Sequence, residues 1–485
     1  MQRRPHGVAA RVLVVFALAA LSLLAACDRG VLAPPTLEPL LVHPDGRWFR
    51  DAKERVVLLR GVDYLALVGG RTRGPVPDTD EDDFRRLAEL GFNLVRLPVP
   101  WRAVAPRPGD FDLEYLRQRV DPLLRFASNA GMPVVLAMHA GWSACVDGRP
   151  RRPWTCPDLP SEGDAGEGVP LGMRIARAQC AFFAGAEASD GRPLLEHYAD
   201  AWRIVAAYYE QDKRIFAFDL LDEPTAAGCS SKAKFVVTAL APFYRTLQKS
   251  VRSTDAPHAL AFQPAATPDE PLAAVGRGFG PGVVFAPHLF GQTFGPPADA
   301  RGGERLAADY ERARRLAQAL GGPLLVGLVG SDGAPAGAYR PTTLPFVADS
   351  FAQLDRQLAS GALWAVVPKE DPRAKLALDI HDGSVARVLA RPYARRIAGL
   401  PIEMELDEES GVWRFAFRDD PKRRPPDPTE IFLPARLRYP DGFTVEVTPG
   451  DRWTFDERLQ RLLVYRGPRR TVGEVHTVRV APAAR

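Results

Sequence analysis

Short apolar runs alternate with amphipathic segments along most of the chain, a rhythm typical of a parallel sheet covered by helices. The apolar runs predict strands at 56–63, 93–98, 134–139, 215–221, 259–262, 283–288, 324–328 and 362–367. Segments with apolar residues three and four apart predict helices at 81–90, 113–129, 195–210, 235–253, 304–320 and 344–360. Eight strands, most of them followed by helices, predict an α/β fold, a closed (β/α)8 TIM barrel over residues 43–390.

The pattern changes at both ends of this barrel and within it. Residues 43–60 predict a small hairpin that covers the barrel floor, and residues 140–194 a long Gly/Pro-rich insertion. From residue 391 onward short alternating strands are separated by turns, which predicts a C-terminal β-sandwich over 391–485. Its predicted strands are 412–417, 431–434, 444–448, 462–465 and 477–480.

The N-terminus has the pattern of an export signal. Three arginines precede an apolar stretch that is too short for a comfortable membrane span and ends in small residues. Leu24-Ala25-Ala26-Cys27 resembles a bacterial lipobox, which implies cleavage of a signal peptide (1–26), a lipid on Cys27 and a tether (27–42). We therefore expect a lipoprotein of the cell envelope, anchored on the periplasmic or extracellular side. A plain secretory signal and an uncleaved anchor are the alternatives.

Charge and motif content exclude several classes of function. The formal net charge is +4, and removal of residues 1–26 lowers it to +1, with 60 basic against 59 acidic residues. There is no basic stripe interleaved with aromatic residues, so we expect no nucleic-acid partner. No nucleotide loop, flavin fingerprint or zinc-type Cys/His spacing occurs, so no cofactor and no metal are predicted. The sequence does not indicate an oligomeric state.

Four cysteines remain after Cys27: Cys145, Cys156, Cys180 and Cys229. An even number in an exported chain predicts two disulfides, for which three pairings exist. We favour Cys145–Cys156 with Cys180–Cys229, because the first pair closes a short loop. Free buried thiols are the alternative.

Polar residues recur at the ends of the predicted strands. The strand 215–221 ends in Asp222 and Glu223, the strand 134–139 ends in His139, and Arg96, His288 and Trp364 occupy comparable positions. Enzymes with parallel barrels place their chemistry at the carboxyl ends of the strands. Each residue alone has an ordinary structural explanation, but together they predict a single site.

The motifs around these residues resemble glycoside hydrolase family 5, in the clan of barrel glycosidases. They are NLVRLPVPW (93–101), LAMH (136–139), FDLLDEP (218–224), APHLF (286–290) and LW (363–364). Within the family, the chain is similar to endoglycoceramidase-type enzymes in GEGVP (166–170), RPYARRIAG (391–399) and PTEIFLPARLRYPDGFTVEV (428–447). The resemblance covers roughly residues 40–482.

The resemblance implies a retaining mechanism on a β-linked glycan or glycolipid. Such a mechanism needs one protonated carboxyl group and one ionised nucleophile about 5–5.5 Å apart. Glu223 matches the acid/base. The resemblance makes Arg96, His139, His288 and Trp364 the supporting residues that orient the carboxylates and floor the sugar site.

The chain departs from the family pattern at the position of the nucleophile. The run PLLVGLVG (323–330) places Leu328 where the strand-seven glutamate is expected. Asp222 replaces the asparagine that usually precedes the acid/base, and Ala140-Gly141 replaces a polar pair after His139. Leucine has no lone pair and cannot form a glycosyl intermediate, so loss of the nucleophile removes many orders of magnitude in rate.

Three hypotheses follow. The first is a catalytically impaired glycosidase that still binds a glycan or glycolipid. The second is an active O-glycosyl hydrolase in which Asp222 works with Glu223, or Asp332, Glu370 or Asp371 supplies the second carboxylate. The third is a non-catalytic structural or interaction lipoprotein with a vestigial pocket.

Overall fold

The computed structural model describes most of the chain. It covers residues 37, 39–42, 46–68, 76–77, 80–146, 152–158, 169, 171–225, 229–254, 257–265, 279, 282–289, 301–329, 344–369, 371, 378–423, 425–467 and 473–483. The predicted signal peptide and Cys27 lie outside these residues. Among the described residues, no helix is both long and apolar enough to cross a membrane.

The described strands follow the predicted rhythm closely. In chain order they are β1 (Leu41–Val42), β2 (Phe49–Arg50), β3 (Val56–Val57), β4 (Arg60–Tyr64), β5 (Leu94–Pro100), β6 (Val134–His139), β7 (Ile215–Asp219), β8 (Ala259–Phe262), β9 (Val283–Phe285), β10 (His288–Leu289), β11 (Leu325–Val329), β12 (Ser360–Val366), β13 (Tyr393–Ile397), β14 (Leu400–Leu406), β15 (Trp413–Arg418), β16 (Thr429–Phe432), β17 (Phe443–Val447), β18 (Arg452–Asp456), β19 (Arg461–Tyr465) and β20 (Val475–Pro482).

The helices lie between the strands, as the amphipathic segments predict. They are Asp80–Glu89, Trp101–Val104, the consecutive segments Leu113–Tyr115, Leu116–Val120 and Asp121–Asn129, then Trp142–Cys145, Leu171–Phe183, Leu194–Tyr208, the consecutive segments Lys232–Phe235, Val236–Leu240 and Ala241–Arg252, and finally Arg301–Leu320, Leu344–Arg356, Gly383–Leu389 and Ala435–Arg438.

The central sheet is a parallel barrel. Its strand order is β10-β11-β12-β4-β5-β6-β7-β8-β9, and all neighbours in this order pair in parallel. β9 and β10 are successive parts of the sixth predicted strand, and a parallel bridge from Phe285 to Leu324 closes the ring. The predicted (β/α)8 barrel is therefore confirmed. All seven residues of β5 are buried, as expected for a strand covered on both faces.

Two antiparallel sheets form the C-terminal part, as the alternating pattern predicts. Their orders are β1-β2-β3-β13-β16-β19-β18 and β14-β15-β20-β17. They share an apolar core that includes Trp413, Phe415 and Ile431. Four of their strands, β1, β13, β14 and β18, were not predicted.

The N-terminal hairpin contacts both the barrel and the C-terminal sheets. β2 and β3 pair antiparallel, and β3 also pairs with β13 of the C-terminal sheet. On the barrel side, the Phe49 ring lies 5.4 Å from the Phe216 ring, in a cluster with Leu94 and Val135. The hairpin thus covers the barrel floor, as expected, and also supplies strands to the C-terminal sheet.

One expectation about the insertion 140–194 needs correction. No helix was predicted within this Gly/Pro-rich insertion, whereas Leu171–Phe183 form a helix of 13 residues. Glycine and proline are concentrated before this segment, and they masked a short stretch with helical spacing. The Phe182 side chain, fully buried, packs against Trp101, Trp142 and Phe243.

Candidate active site

The barrel brings the predicted polar residues to its carboxyl-terminal edge. Arg96 lies within β5, His139 ends β6, Asp222 and Glu223 follow β7, and His288 begins β10. Neighbouring parallel strands place these positions side by side because their carboxyl ends meet at the same edge.

Arg96 is the centre of a buried ionic network. Its Nη1 donates to Asp63 Oδ1 at 2.8 Å, and its Nε donates to Asp219 Oδ2 at 3.0 Å. Its Nη2 donates to the same Asp219 oxygen at 2.8 Å and to Asp222 Oδ1 at 2.6 Å. Asp63 and Asp219 are buried, so one guanidinium serves three carboxylates in a site of low water content.

The network separates the pKa values of its members. Burial raises the pKa of Asp63 to about 7, against the opposing effect of Arg96. Burial also raises the pKa of Asp219. For Asp222, burial acts upward but Arg96, His288 and His139 together hold its pKa well below the usual range. Asp222 is therefore the ionised partner of Arg96, and burial favours the protonated forms of Asp63 and Asp219.

Glu223 projects into the open mouth of the barrel. Its side chain is 49% exposed, and its Oε1 forms a hydrogen bond of 2.9 Å with Nδ1 of the buried His288. The other nitrogen of His288 lies 3.9 Å from Asp222 Oδ1, and His139 Nε2 lies 3.7 Å from Asp222 Oδ2. Two imidazoles therefore face the Asp222–Glu223 pair.

Two glutamines hold the backbone of Glu223. The Glu223 N–H donates to Gln263 Oε1 at 2.9 Å, while Gln263 Nε2 donates to Asp219 Oδ2 at 2.8 Å. From the insertion helix, Gln179 Nε2 donates to the Glu223 carbonyl at 3.0 Å. Glu223 has a φ of 46°, a left-handed conformation that costs free energy for a non-glycine residue. These hydrogen bonds fix that conformation and so fix the direction of the carboxyl group.

Both disulfides reinforce the insertion next to the site. Cys145 pairs with Cys156 and Cys180 with Cys229, with Cα–Cα distances of 5.3 and 5.5 Å, which is the pairing that the sequence analysis favours. Cys180 follows Gln179 directly, and Cys229 lies in the segment after Glu223. The second bridge therefore ties the insertion helix to the loop that carries Glu223.

The seventh barrel strand presents Leu328 next to the site. Leu328 is paired in register with His288 across β10 and β11. Its neighbour Gly327 leaves room for the His288 ring, because a Cβ at this position would lie 2.8 Å from His288 Cδ2. On the next strand, β12, Trp364 is partly exposed and is followed by a cis peptide bond to Ala365.

Only one of the other proposed carboxylates lies among the described residues. Asp332 and Glu370 lie outside the described residues, whereas Asp371 is described and buried, with 3% of its surface exposed.

Four residues of the site were not predicted from the sequence: Asp63, Gln179, Asp219 and Gln263. Asp219 carries a signal, since it is the one polar residue in the apolar run 215–221, but the two glutamines carry none.

Two family models match the chain. The model "Cellulase (glycosyl hydrolase family 5)" matches residues 60–266, and the model "Glycoside hydrolase family 5 C-terminal domain" matches residues 391–480. The chain belongs to glycoside hydrolase family 5. The barrel and the C-terminal sheets both agree with this family, and the first matched range contains Arg96, His139, Asp222 and Glu223.

Known relatives within the family share most of the chain's length. Endoglycoceramidase I of Rhodococcus hoagii (strain 103S) is 27% identical over 449 residues, which cover 84% of this chain and 82% of that protein. The structure of endo-glycoceramidase II from Rhodococcus sp. as a lactosyl-enzyme intermediate has a TM-score of 0.65 at 25% identity and covers 90% of this chain and all of its own. A crystal structure of endogalactoceramidase, 22% identical with a TM-score of 0.64, covers 92% of this chain and all of its own and shares the fold.

Proposed function

We propose that the barrel mouth binds the β-linked glycan of a glycolipid, or a free β-glycan, without hydrolysing it by a retaining mechanism. The observation that carries the proposal is Leu328, which stands on β11 opposite His288 at the position expected for the nucleophile. The related endo-glycoceramidase II forms a lactosyl-enzyme intermediate. Leucine offers no atom to which a sugar could be joined.

The residues of the site other than Leu328 support glycan binding. Glu223 is half-exposed, is oriented by His288 and is held in an unusual backbone conformation by Gln263 and Gln179. His139 and Trp364 remain partly exposed at the same edge. Carboxylate and imidazole groups in an open mouth can hydrogen-bond to sugar hydroxyls, and a partly exposed indole can pack against a sugar ring.

The charges of the site support a change in its function rather than a mere loss of catalytic residues. Compared with the family pattern, one carboxylate is missing at Leu328 and one is gained at Asp222, where an asparagine is expected. Asp222 makes the shortest hydrogen bond to Arg96, 2.6 Å, and its pKa is held low. The gained carboxylate therefore joins Asp63 and Asp219 around the buried guanidinium and keeps a negative charge in the site despite the loss at Leu328.

The proposal is tested by restoring the nucleophile in two steps. We expect the purified chain carrying Cys27→Ser to bind lactosylceramide and show no turnover. Leu328→Glu alone is expected to give slow hydrolysis at best, because Asp222 already occupies Arg96 and adds negative charge. The double variant Leu328→Glu with Asp222→Asn is expected to exceed the single variant by at least about tenfold, a change of about 1.4 kcal/mol in the barrier. Product release is followed by chromatography.

The controls separate the three hypotheses. Glu223→Gln in the double variant should abolish the restored hydrolysis, because the leaving oxygen loses its proton donor. Hydrolysis by the unaltered site that disappears in Glu223→Gln would overturn the proposal in favour of an active enzyme with a recruited carboxylate. Absence of both binding and rescue would favour the interaction lipoprotein.

We further propose that a lipid on Cys27 holds the chain at a membrane of the cell envelope, on the periplasmic or extracellular side. The support is the basic, apolar and small-residue pattern that ends at Cys27. We expect Cys27→Ser to move the chain from the membrane fraction to the soluble fraction. Equal membrane retention of both forms would contradict a lipid anchor.

A further inference from the structure

Two carboxylate side chains and one imidazole converge at one end of the C-terminal sheets, far along the chain from the barrel residues. Asp419 follows β15, while Glu474 and His476 lie at the start of β20. The Asp419 N–H donates to the Glu474 carbonyl at 2.9 Å, so backbone pairing sets these segments side by side. One ligand atom from each of the three side chains lies within 4.8 Å of the others.

His476 is fixed with one nitrogen directed into this cluster. Its side chain is 2% exposed, and its Nδ1 forms a hydrogen bond of 2.7 Å with Asp451 Oδ2. The Gly467 N–H donates to the other oxygen of Asp451 at 2.8 Å, which orients that carboxylate. Because Asp451 accepts a hydrogen bond from Nδ1–H, the neutral imidazole presents a lone pair at Nε2.

The Nε2 atom of His476 is buried without a hydrogen-bond partner in the part of the chain that the structure describes. A carboxylate oxygen of the cluster, Asp419 Oδ1, is 3.7 Å away. Two ligands on one tetrahedral zinc ion lie about 3.4 Å apart, because each metal–ligand bond is about 2.0–2.2 Å long. The observed separation is closer to a pair of metal ligands than to a hydrogen bond.

The charge of the cluster also matches a divalent cation. Asp419, Glu474 and Asp451 are acidic, and Arg466, which contacts Asp419, is the one cation among the groups named. Carboxylate oxygens and an imidazole nitrogen are the kinds of ligand that a zinc-class ion accepts.

We propose that His476, Asp419 and Glu474 bind a divalent transition-metal ion of the zinc class. The Asp451–His476 pair has the form of a carboxylate that orients a metal-binding imidazole. The ion would join the segment after β15 to the start of β20, and through Asp451 to the turn between β17 and β18. The ligands come from two distant segments, so no sequence spacing reveals them. This site is independent of the glycan site in the barrel.

The test is a zinc titration of the purified chain carrying Cys27→Ser, followed by calorimetry and by the melting temperature with and without a chelator. We expect Zn²⁺ to raise the melting temperature by several degrees and Mg²⁺ not to. Glu474→Gln, at a partly exposed position that tolerates an amide, is expected to weaken zinc binding at least about tenfold. Asp419→Asn is a second ligand variant.

The matched control is Glu446→Gln, which removes an exposed carboxylate that pairs with Arg479 in the same sheet and should leave zinc binding unchanged. Zinc bound by the barrel imidazoles is identified with His139→Ala, which leaves the proposed ligands intact. Equal zinc binding by the unaltered chain and by both ligand variants would overturn the proposal, as would absence of zinc binding in the unaltered chain.

Discussion

The Arg96 network shows how one buried cation controls several acids. Its guanidinium reaches Asp63, Asp219 and Asp222, yet the three carboxyl groups have different pKa values because they differ in burial and in their other neighbours. Asp222 is additionally close to His139 and His288. For Asp63, the cost of burial outweighs the attraction of Arg96 and His288. At the residue scale, burial and the neighbouring imidazoles therefore decide which acid is ionised.

A pH dependence of stability follows for Asp63. The pKa of this group rises from 3.8 to about 7 on folding, so the folded state retains a proton that the unfolded state releases. Its contribution to the free energy of unfolding is therefore present below about pH 4 and is lost as the pH rises through about 7. We expect Asp63→Asn, whose amide oxygen can still accept from Arg96, to flatten the fall in stability between these values. Urea unfolding at several pH values measures this dependence of the free energy of unfolding on pH.

The control for this prediction is Asp382→Asn. Asp382 is exposed, and hydrogen bonds from Ser384 and Val385 lower its pKa, so it is ionised in both states above about pH 5 and adds almost no slope between there and pH 7. Asparagine is also a good helix N-cap. If Asp63→Asn and Asp382→Asn leave the same slope as the unaltered chain, Asp63 does not carry a raised pKa.

The sequence predicted the polar residues that stand out against the apolar barrel strands and missed those that support them. Arg96, His139, Glu223 and His288 stand out because the apolar pattern around them fixes their place in the barrel. Gln179 and Gln263 become relevant only through contacts with the Glu223 backbone, 44 and 40 residues away along the chain. Local patterns cannot identify partners of this kind.

At the scale of elements, the close contact between β10 and β11 makes Gly327 a determinant of the site. A methyl group at this position would lie 2.8 Å from Cδ2 and 2.9 Å from Nε2 of His288. The ring would have to move, and it carries the hydrogen bond to Glu223. We expect Gly327→Ala to lower the free energy of unfolding by about 1–3 kcal/mol and to weaken glycan binding severalfold. Denaturant unfolding and calorimetric titration measure the two effects.

Gly383→Ala is the matched substitution. Gly383 begins a short helix, and a Cβ there would have no atom within 4 Å. Alanine favours helices over glycine by about 1 kcal/mol, so this variant should be neutral or slightly stabilising and should bind glycan normally. Equal losses in the two variants would refute a specific contact between Gly327 and His288.

The elements that the sequence predicted well are those with a long uniform pattern. β6 has the predicted bounds, and the helix Leu194–Tyr208 begins within one residue of the prediction. The strand predicted at 215–221 ends earlier, at Asp219, where the backbone turns toward the site. β13 was missed because its two arginines interrupt the apolar pattern, whereas the alternation in IEMEL (402–406) of β14 was overlooked. Both strands are stabilised by pairing within their sheets.

At the scale of the whole molecule, the N-terminal hairpin makes the barrel and the C-terminal sheets interdependent. Residues 46–60 precede the barrel in sequence, yet β3 forms the neighbour of β13. Trp48, Val56 and Leu58 are buried in the C-terminal core, together with Leu358 from the end of a barrel helix. The Arg50 guanidinium also donates to Asp420 at 3.1 Å in a buried pair.

This arrangement predicts that residues 391–485 do not fold on their own. Each fully buried apolar side chain contributes about 1.5–3 kcal/mol. Loss of the four named side chains thus removes a free energy comparable to the whole stability of a typical domain, about 5–15 kcal/mol. Removal of β3 also leaves the backbone of β13 unpaired on one side.

We expect the isolated fragment to lack a cooperative urea transition and a near-ultraviolet circular dichroism signal, while the full chain shows both. Addition of a synthetic peptide of residues 37–60 should recover part of the signal, because it supplies β1, β2 and β3. A fragment that unfolds cooperatively at the same urea concentration as the full chain would show that the C-terminal sheets are stable without the hairpin.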